Sequence, residues 1–156
     1  MNQLTQIKIR FSDAAHAIGV KPKVLRNWLQ RNQIALFSDH TGAKWTEFTL
    51  GDIAVLAVIR RLVEWGIKVD QANKIAFSLI RQRAGMLIIY RNTPKEALIA
   101  TLRNFRLLLA HDDDTGELMS AIVHHQDALP LDDTDFVFVN IGVVVEVAFS
   151  RLESKV

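Results

Sequence analysis

The chain has 156 residues, 49% of them hydrophobic and 23% charged, which is enough to bury a core and too apolar for a disordered polyampholyte. It has no cysteine, which excludes disulfides, thiolate metal sites and cysteine nucleophiles. The net charge of +2 hides an asymmetry: residues 1–85 hold 13 Lys and Arg against 6 Asp and Glu, whereas residues 86–156 hold 6 against 11. A basic half joined to an acidic half suggests a polyanionic partner for the first.

The N-terminus, MNQLTQIKIR, lacks the basic and apolar regions of a secretion signal, and no apolar run approaches the ~18 residues of a membrane span. A cytoplasmic protein is expected. Ile7–Phe11 reads as a short strand or as the approach to a first helix. Ser12 is the expected N-cap, with the helix over Asp13–Ile18 stopping at Gly19. Pro22 suits the first turn of a second helix ending near Asn32. On that helix Lys23, Arg26, Asn27 and Gln30 recur at i, i+3, i+4 and i+7, with Val24, Leu25, Trp28 and Leu29 on the other side. No Asp or Glu occurs between Asp13 and Asp39. Ordinary solvated helices mix both signs, whereas Lys, Arg, Asn and Gln together supply phosphate partners and base-edge donors.

Ile34–Phe37 and Ala43–Phe48 flank the turn-forming SDHTG and read as a small hairpin. Thr49 with Asp52 resembles a capping box for a third helix through Glu64, which Gly66 ends. Arg60 and Arg61 on it read as solvated charge. A fourth helix is expected over Val69–Arg83, then a strand at Met86–Tyr90. Thr93 is the expected cap of a helix with Pro94 at its first position, extending to about Asn104. Arg106–Ala110 and Leu118–His124 flank HDDDTG as a second hairpin. Asp135–Asn140 reads as a strand and Ile141–Leu152 as a closing helix.

The tail offers no chemistry. His111 to Asp114 with Glu117 are consecutive rather than spaced as in a calcium loop, and strands flank them where helices would be required. His124 and His125 would point oppositely on a strand. Asp132, Asp133 and Asp135 read as turn acids. Neither a nucleophile–base motif nor a Gly-rich phosphate loop is present, so neither an enzyme nor a cofactor or metal site is expected. The apolar density of Val137–Phe149 exceeds what about 70 residues easily hide, so part of it is expected to pack on a partner chain or on the basic half, with a homodimer as the natural partner.

The order helix, turn, helix, hairpin, helix, Gly, helix resembles the DNA-binding domain of the MerR family over roughly residues 5–82. The residues that carry the resemblance are Ala14-Ala15, Gly19-Val20, Leu25-Arg26-Asn27-Trp28, Phe48 in FTLGDI, and Leu56 through Trp65-Gly66-Ile67 to Ile75. Asn27 stands where the family's first aromatic after Leu-Arg would be, and Thr46 where a basic wing residue would be. Family members dimerise through a long helix after this domain, and Pro94 with repeated turns leaves no long coiled coil here.

The resemblance over residues 5–82, joined to the tail elements read above, gives an α+β chain. Residues 1–85 would form a winged helix-turn-helix of four helices and a hairpin wing, and residues 86–156 an acidic region with antiparallel strands and a closing helix for dimerisation or regulation. It further implies a DNA-binding transcription regulator with helix 22–31 in the major groove of double-stranded DNA. Lys21 and Lys23 would hold phosphate at the helix start, Arg26 a guanine or phosphate, Asn27 an adenine edge, with Gln30 and Arg31 beside them. In the wing, His40, Thr41 and Lys44 would reach backbone or minor groove. The alternatives are an excisionase-like architectural DNA binder and an antitoxin-like module whose acidic tail captures a protein.

Overall fold

The computed structural model describes residues 7–31, 34–38, 47–89, 93–127 and 135–155. Helix α1 (Phe11–Ile18) begins ahead of the expected Ser12 cap. Arg10 occupies the cap position and makes no side-chain cap bond. Strand pairing sets this entry: β1 (Ile9–Arg10) lies antiparallel to β2 (Glu47–Phe48), with Ile9 opposite Phe48. The Phe11 and Phe48 rings then meet at 6.0 Å. At its other end α1 closes as expected on Gly19 at φ +76°, where Gly19 N–H donates to His16 O and Val20 N–H to Ala15 O. Helix α2 follows over Pro22–Arg31.

The expected hairpin strand at Ile34–Phe37 is not formed. Its backbone bonds go to two buried side chains rather than to a neighbouring strand. Asn73 accepts from Ala35 N–H at 2.8 Å and donates to Ala35 O at 3.0 Å. Asp52 accepts from Phe37 N–H at 2.8 Å, from Ser38 N–H at 3.1 Å and from the Ser38 hydroxyl. The remainder of the expected wing, residues 39–46, lies outside the described residues.

Asp52 also completes the capping box read from the sequence. Thr49 N–H donates to its carboxylate at 2.9 Å, and Asp52 N–H donates to Thr49 Oγ1 at 3.2 Å. The box starts α3 (Leu50–Glu64), which is buried continuously from Leu50 to Ile59 and forms the axis of the core. Gly66, at φ +84°, ends the turn that follows.

Helix α4 runs from Val69 to Ile89, so the expected strand at Met86–Tyr90 is replaced by helix as far as Ile89. Ala76, Ile80, Ala84 and Ile88 continue one buried face at i, i+4 spacing, while Met86 and Ile89 are turned to solvent. An apolar run alone does not distinguish strand from buried helix. The expected boundary after Gly85 falls inside this helix. Buried residues on both sides of it, such as Ile53 and Leu79 with Leu98, Leu107 and Phe149, belong to one apolar cluster.

Helix α5 covers Lys95–Arg103 with Pro94 as its N-cap residue, in place of the Thr93 cap expected from sequence. Strands β3 (Phe105–His111), β4 (Leu118–His124) and β5 (Phe136–Asn140) form an antiparallel sheet in the order β4-β3-β5. Helix α6 (Ile141–Glu153) follows with Asn140 accepting from Val143 N–H. It packs on α1, α3 and α5. Where α6 meets α5, a Cβ added to Gly142 would stand 2.7 Å from Arg103 N and 2.8 Å from its Cα.

Two stability outcomes follow from these contacts. Asp52→Ala strands several backbone donors beneath solvent and should cost about 3 kcal/mol, read as a lower urea midpoint. Gly142→Ala, although favourable by helix propensity, should cost about 1–3 kcal/mol because backbone cannot yield to the added methyl. A midpoint equal to or above the wild type in either variant contradicts the corresponding packing argument.

Candidate nucleic-acid interface

The turn between α1 and α2 fixes the candidate surface. After Gly19, the Lys21 carbonyl accepts from Val24 N–H at 2.9 Å and from Leu25 N–H at 3.3 Å, so Lys21 stands at the start of α2. Pro22 takes the first helical position, where its missing N–H leaves nothing unpaired. Leu25, Trp28 and Leu29 are buried and hold the helix down. Val24, expected on the same side, is instead 38% exposed.

The opposite face carries what the sequence placed there. Lys21, Lys23, Arg26, Gln30 and Arg31 are exposed, and Asn27 is half-buried. The helix of ten residues spans about 15 Å, so these groups form one ridge. Among the described residues, no carboxylate lies within ion-pair distance of Lys21, Lys23, Arg26 or Arg31. His40 and Lys44 lie outside the described residues.

One contributor has no signal in the sequence. The Arg26 guanidinium lies 5.5 Å from the centre of the Phe11 ring, within cation–π range. Phe11 is itself packed against Phe48, so the β1–β2 pairing reaches the ridge through one ring. The contact joins residues on different helices that only folding brings together.

Among the described residues, the acidic half leaves the ridge exposed. Its closing helix is tied to α1: Lys155 Nζ is 2.9 Å from Asp13 Oδ1, and Arg151 Nη1 donates to Ala17 O at 3.4 Å. Arg60, read from sequence as solvated charge, is only partly exposed, and its Nε is buried without a hydrogen-bond partner.

The HDDDTG motif of the tail serves a turn, and Asp132 and Asp133 lie outside the described residues. Asp112 accepts from the backbone N–H groups of Thr115 and Asp114, each at 2.9 Å. These bonds hold its carboxyl below the usual Asp value. His125 lies past the end of β4, so the expected opposite pointing of His124 and His125 is not met. Their rings stand 4.5 Å apart, and His125 N–H donates to Asn104 O. Among the described residues, no three His, Asp or Glu side chains are grouped to hold a metal ion. No described helix is long and apolar enough to cross a membrane.

Residues 9–78, a little under half of the chain, match the family model described as MerR HTH family regulatory protein. A comparison with curated proteins returned no match. The matched segment begins at β1, contains α1, the Gly19 turn, α2 and α3, and ends within α4. Residues 9–78 of this chain are therefore a helix-turn-helix domain of the MerR family.

Proposed function

We propose that the chain is a transcription regulator of MerR type that binds double-stranded DNA in a sequence-specific manner, with α2 in the major groove. The observation that carries this reading is the exposed, acid-free ridge of α2 within a MerR-family segment. Lys21 and Lys23 flank the helix N-terminus, where backbone N–H groups and the helix dipole favour a phosphate. Arg26, steadied by Phe11, is suited to guanine O6 and N7, and Asn27 to adenine N6 and N7. Gln30 and Arg31 extend the contact along the helix. His40 and Lys44 belong to the same proposal as backbone contacts of the wing.

The reading includes a cytoplasmic homodimer, with residues 86–156 supplying the dimer contact and residues 1–85 the DNA contact. An antiparallel sheet that meets water on one side ordinarily carries polar residues there. In β3–β5 the inward positions Leu107, Leu109 and Val139 are buried. The register puts Leu108, Met119, Val123, Phe136 and Phe138 on the other face, with Arg106 and Asn140 as its polar members. A second copy presenting the same face would cover it with two-fold symmetry, matching two half-sites on DNA.

Selection of genomic fragments on purified protein should enrich a defined sequence. On that site Arg26→Ala should lose about 1–3 kcal/mol, roughly 5- to 150-fold in affinity, and relax the preference at one base pair. Lys23→Ala should weaken all sequences alike and lower the log–log salt slope by about 0.9. Phe11→Leu should follow Arg26→Ala in direction with a smaller loss. Unchanged binding by Arg26→Ala removes the base-reading role, and absence of any retained sequence removes the regulator reading. Sedimentation should find a dimer that Phe138→Glu converts to monomer; a monomeric wild type at micromolar concentration rules the dimer out.

A further inference from the structure

The meeting of α1, α3 and α6 encloses a cavity of about 160 Å³. Its floor is apolar, with Ile18, Ala57, Val144 and Ala148, but its rim carries Arg60, Arg61 and Arg151 against one carboxylate, Glu64. Glu64 is already divided between two of them: Oε1 lies 3.1 Å from Arg60 Nη2 and Oε2 lies 3.2 Å from Arg61 Nη1. Arg151 donates a single bond, to the Ala17 carbonyl. Among the described residues, two positive charges thus remain uncompensated around a half-enclosed space.

The Arg60 side chain is about one-third exposed although its Nε is buried against protein, so the guanidinium meets the space with its outer end. A guanidinium presents its Nε and Nη donors as a planar fork that fits two oxygens of one oxyanion. With Nε closed off and Glu64 on Nη2, the remaining Nη donors of Arg60 are left for a second acceptor.

We propose that this cavity is a binding site for a small phosphate-bearing anion, held by Arg60, Arg61 and Arg151 through their Nη groups. The space equals the liquid volume of roughly five waters, enough for a tetrahedral phosphate and a short substituent. A dianion balances the two residual charges, and its several oxygens match the number of guanidinium groups on the rim. The walls come from the MerR-family segment (α1 and α3) and from the closing helix α6, so the ligand bridges the two. The site does not depend on α2 contacting DNA.

The test is a titration of inorganic phosphate with the purified full-length protein, followed by ³¹P line broadening at constant ionic strength set with chloride. Saturable binding is expected without DNA. Arg60→Lys keeps the charge and the reach to Glu64 but removes the fork, and should weaken phosphate by about tenfold or more. If Arg60→Lys does not fold, judged by helicity and melting, Arg61→Gln on the exposed rim serves in its place with loss in the same direction. Lys68→Met, outside the cavity, should bind as the wild type does. Absence of saturable binding in the wild type, or equal binding by the rim variants, would falsify the site. Adding duplex DNA distinguishes the source of the phosphate. A soluble ligand's site keeps its phosphate beside DNA, whereas a site for the DNA backbone releases it and ties the Arg60→Lys loss to DNA affinity. Failure of the phosphate arm leaves DNA binding untouched, and failure of DNA binding leaves the phosphate arm readable.

Discussion

A carboxylate with no exposure to water organises the domain. Burying a carboxyl group is costly unless hydrogen bonds replace its hydration, and Asp52 accepts from three backbone N–H groups and a hydroxyl. One of those donors belongs to the start of α3, and the others belong to the segment that follows α2. The same side chain therefore begins the central helix and anchors the path of the chain leaving the ridge-bearing helix. Asn73 adds a two-point clamp one turn of chain earlier, at Ala35. Between them an irregular, half-buried segment is held as firmly as a strand would be. The orientation of α2 depends on these clamps together with the apolar grip of Leu25, Trp28 and Leu29.

The distribution of acids gives the charge asymmetry of the chain a structural meaning. The carboxylates pair away from α2: Glu146 with Arg103, Glu153 with Lys95, Asp13 with Lys155, Glu47 with Lys8 and Glu64 with two arginines. Exposed pairs of this kind contribute little stability each. Their consequence is electrostatic: six cations elsewhere on the described surface are neutralised locally, while Lys21, Lys23, Arg26 and Arg31 have no such partner among the described residues. A polyanion at the ridge would meet no competing carboxylate among the described residues, with salt screening the attraction.

Helix α6 joins the two halves. Its buried residues Val145, Ala148 and Phe149 enter the same cluster as α1 and α3. Arg151 sits against the Gly19 turn so closely that a Cβ there would stand 2.6 Å from its Nη1, and it satisfies a carbonyl at the end of α1. The acidic half is thus part of the support of the helix-turn-helix rather than an appendage. A change in α6 has a short physical route to the turn that sets α2, through one guanidinium and one glycine.

Much of this was legible in the residues because local rules and final packing agree. The Gly19 turn, Pro22 at the head of α2, the Thr49–Asp52 capping box and the HDDDTG hairpin each follow from side-chain chemistry acting over a few residues. The polar ridge of α2 follows from helical periodicity and the absence of acids. The failures share another cause. Met86–Ile89 is helix because Ala84 and Ile88 find a buried face prepared by distant elements, and 34–37 forms no strand because Asn73 and Asp52 take its hydrogen bonds. The support of Arg26 by Phe11 and the convergence of Arg60, Arg61 and Arg151 were likewise invisible. Sequence determined which groups were available and which local turns they would make. Only the tertiary structure decided which of them meet, since contacts between residues far apart in the chain depend on how the shared core is packed.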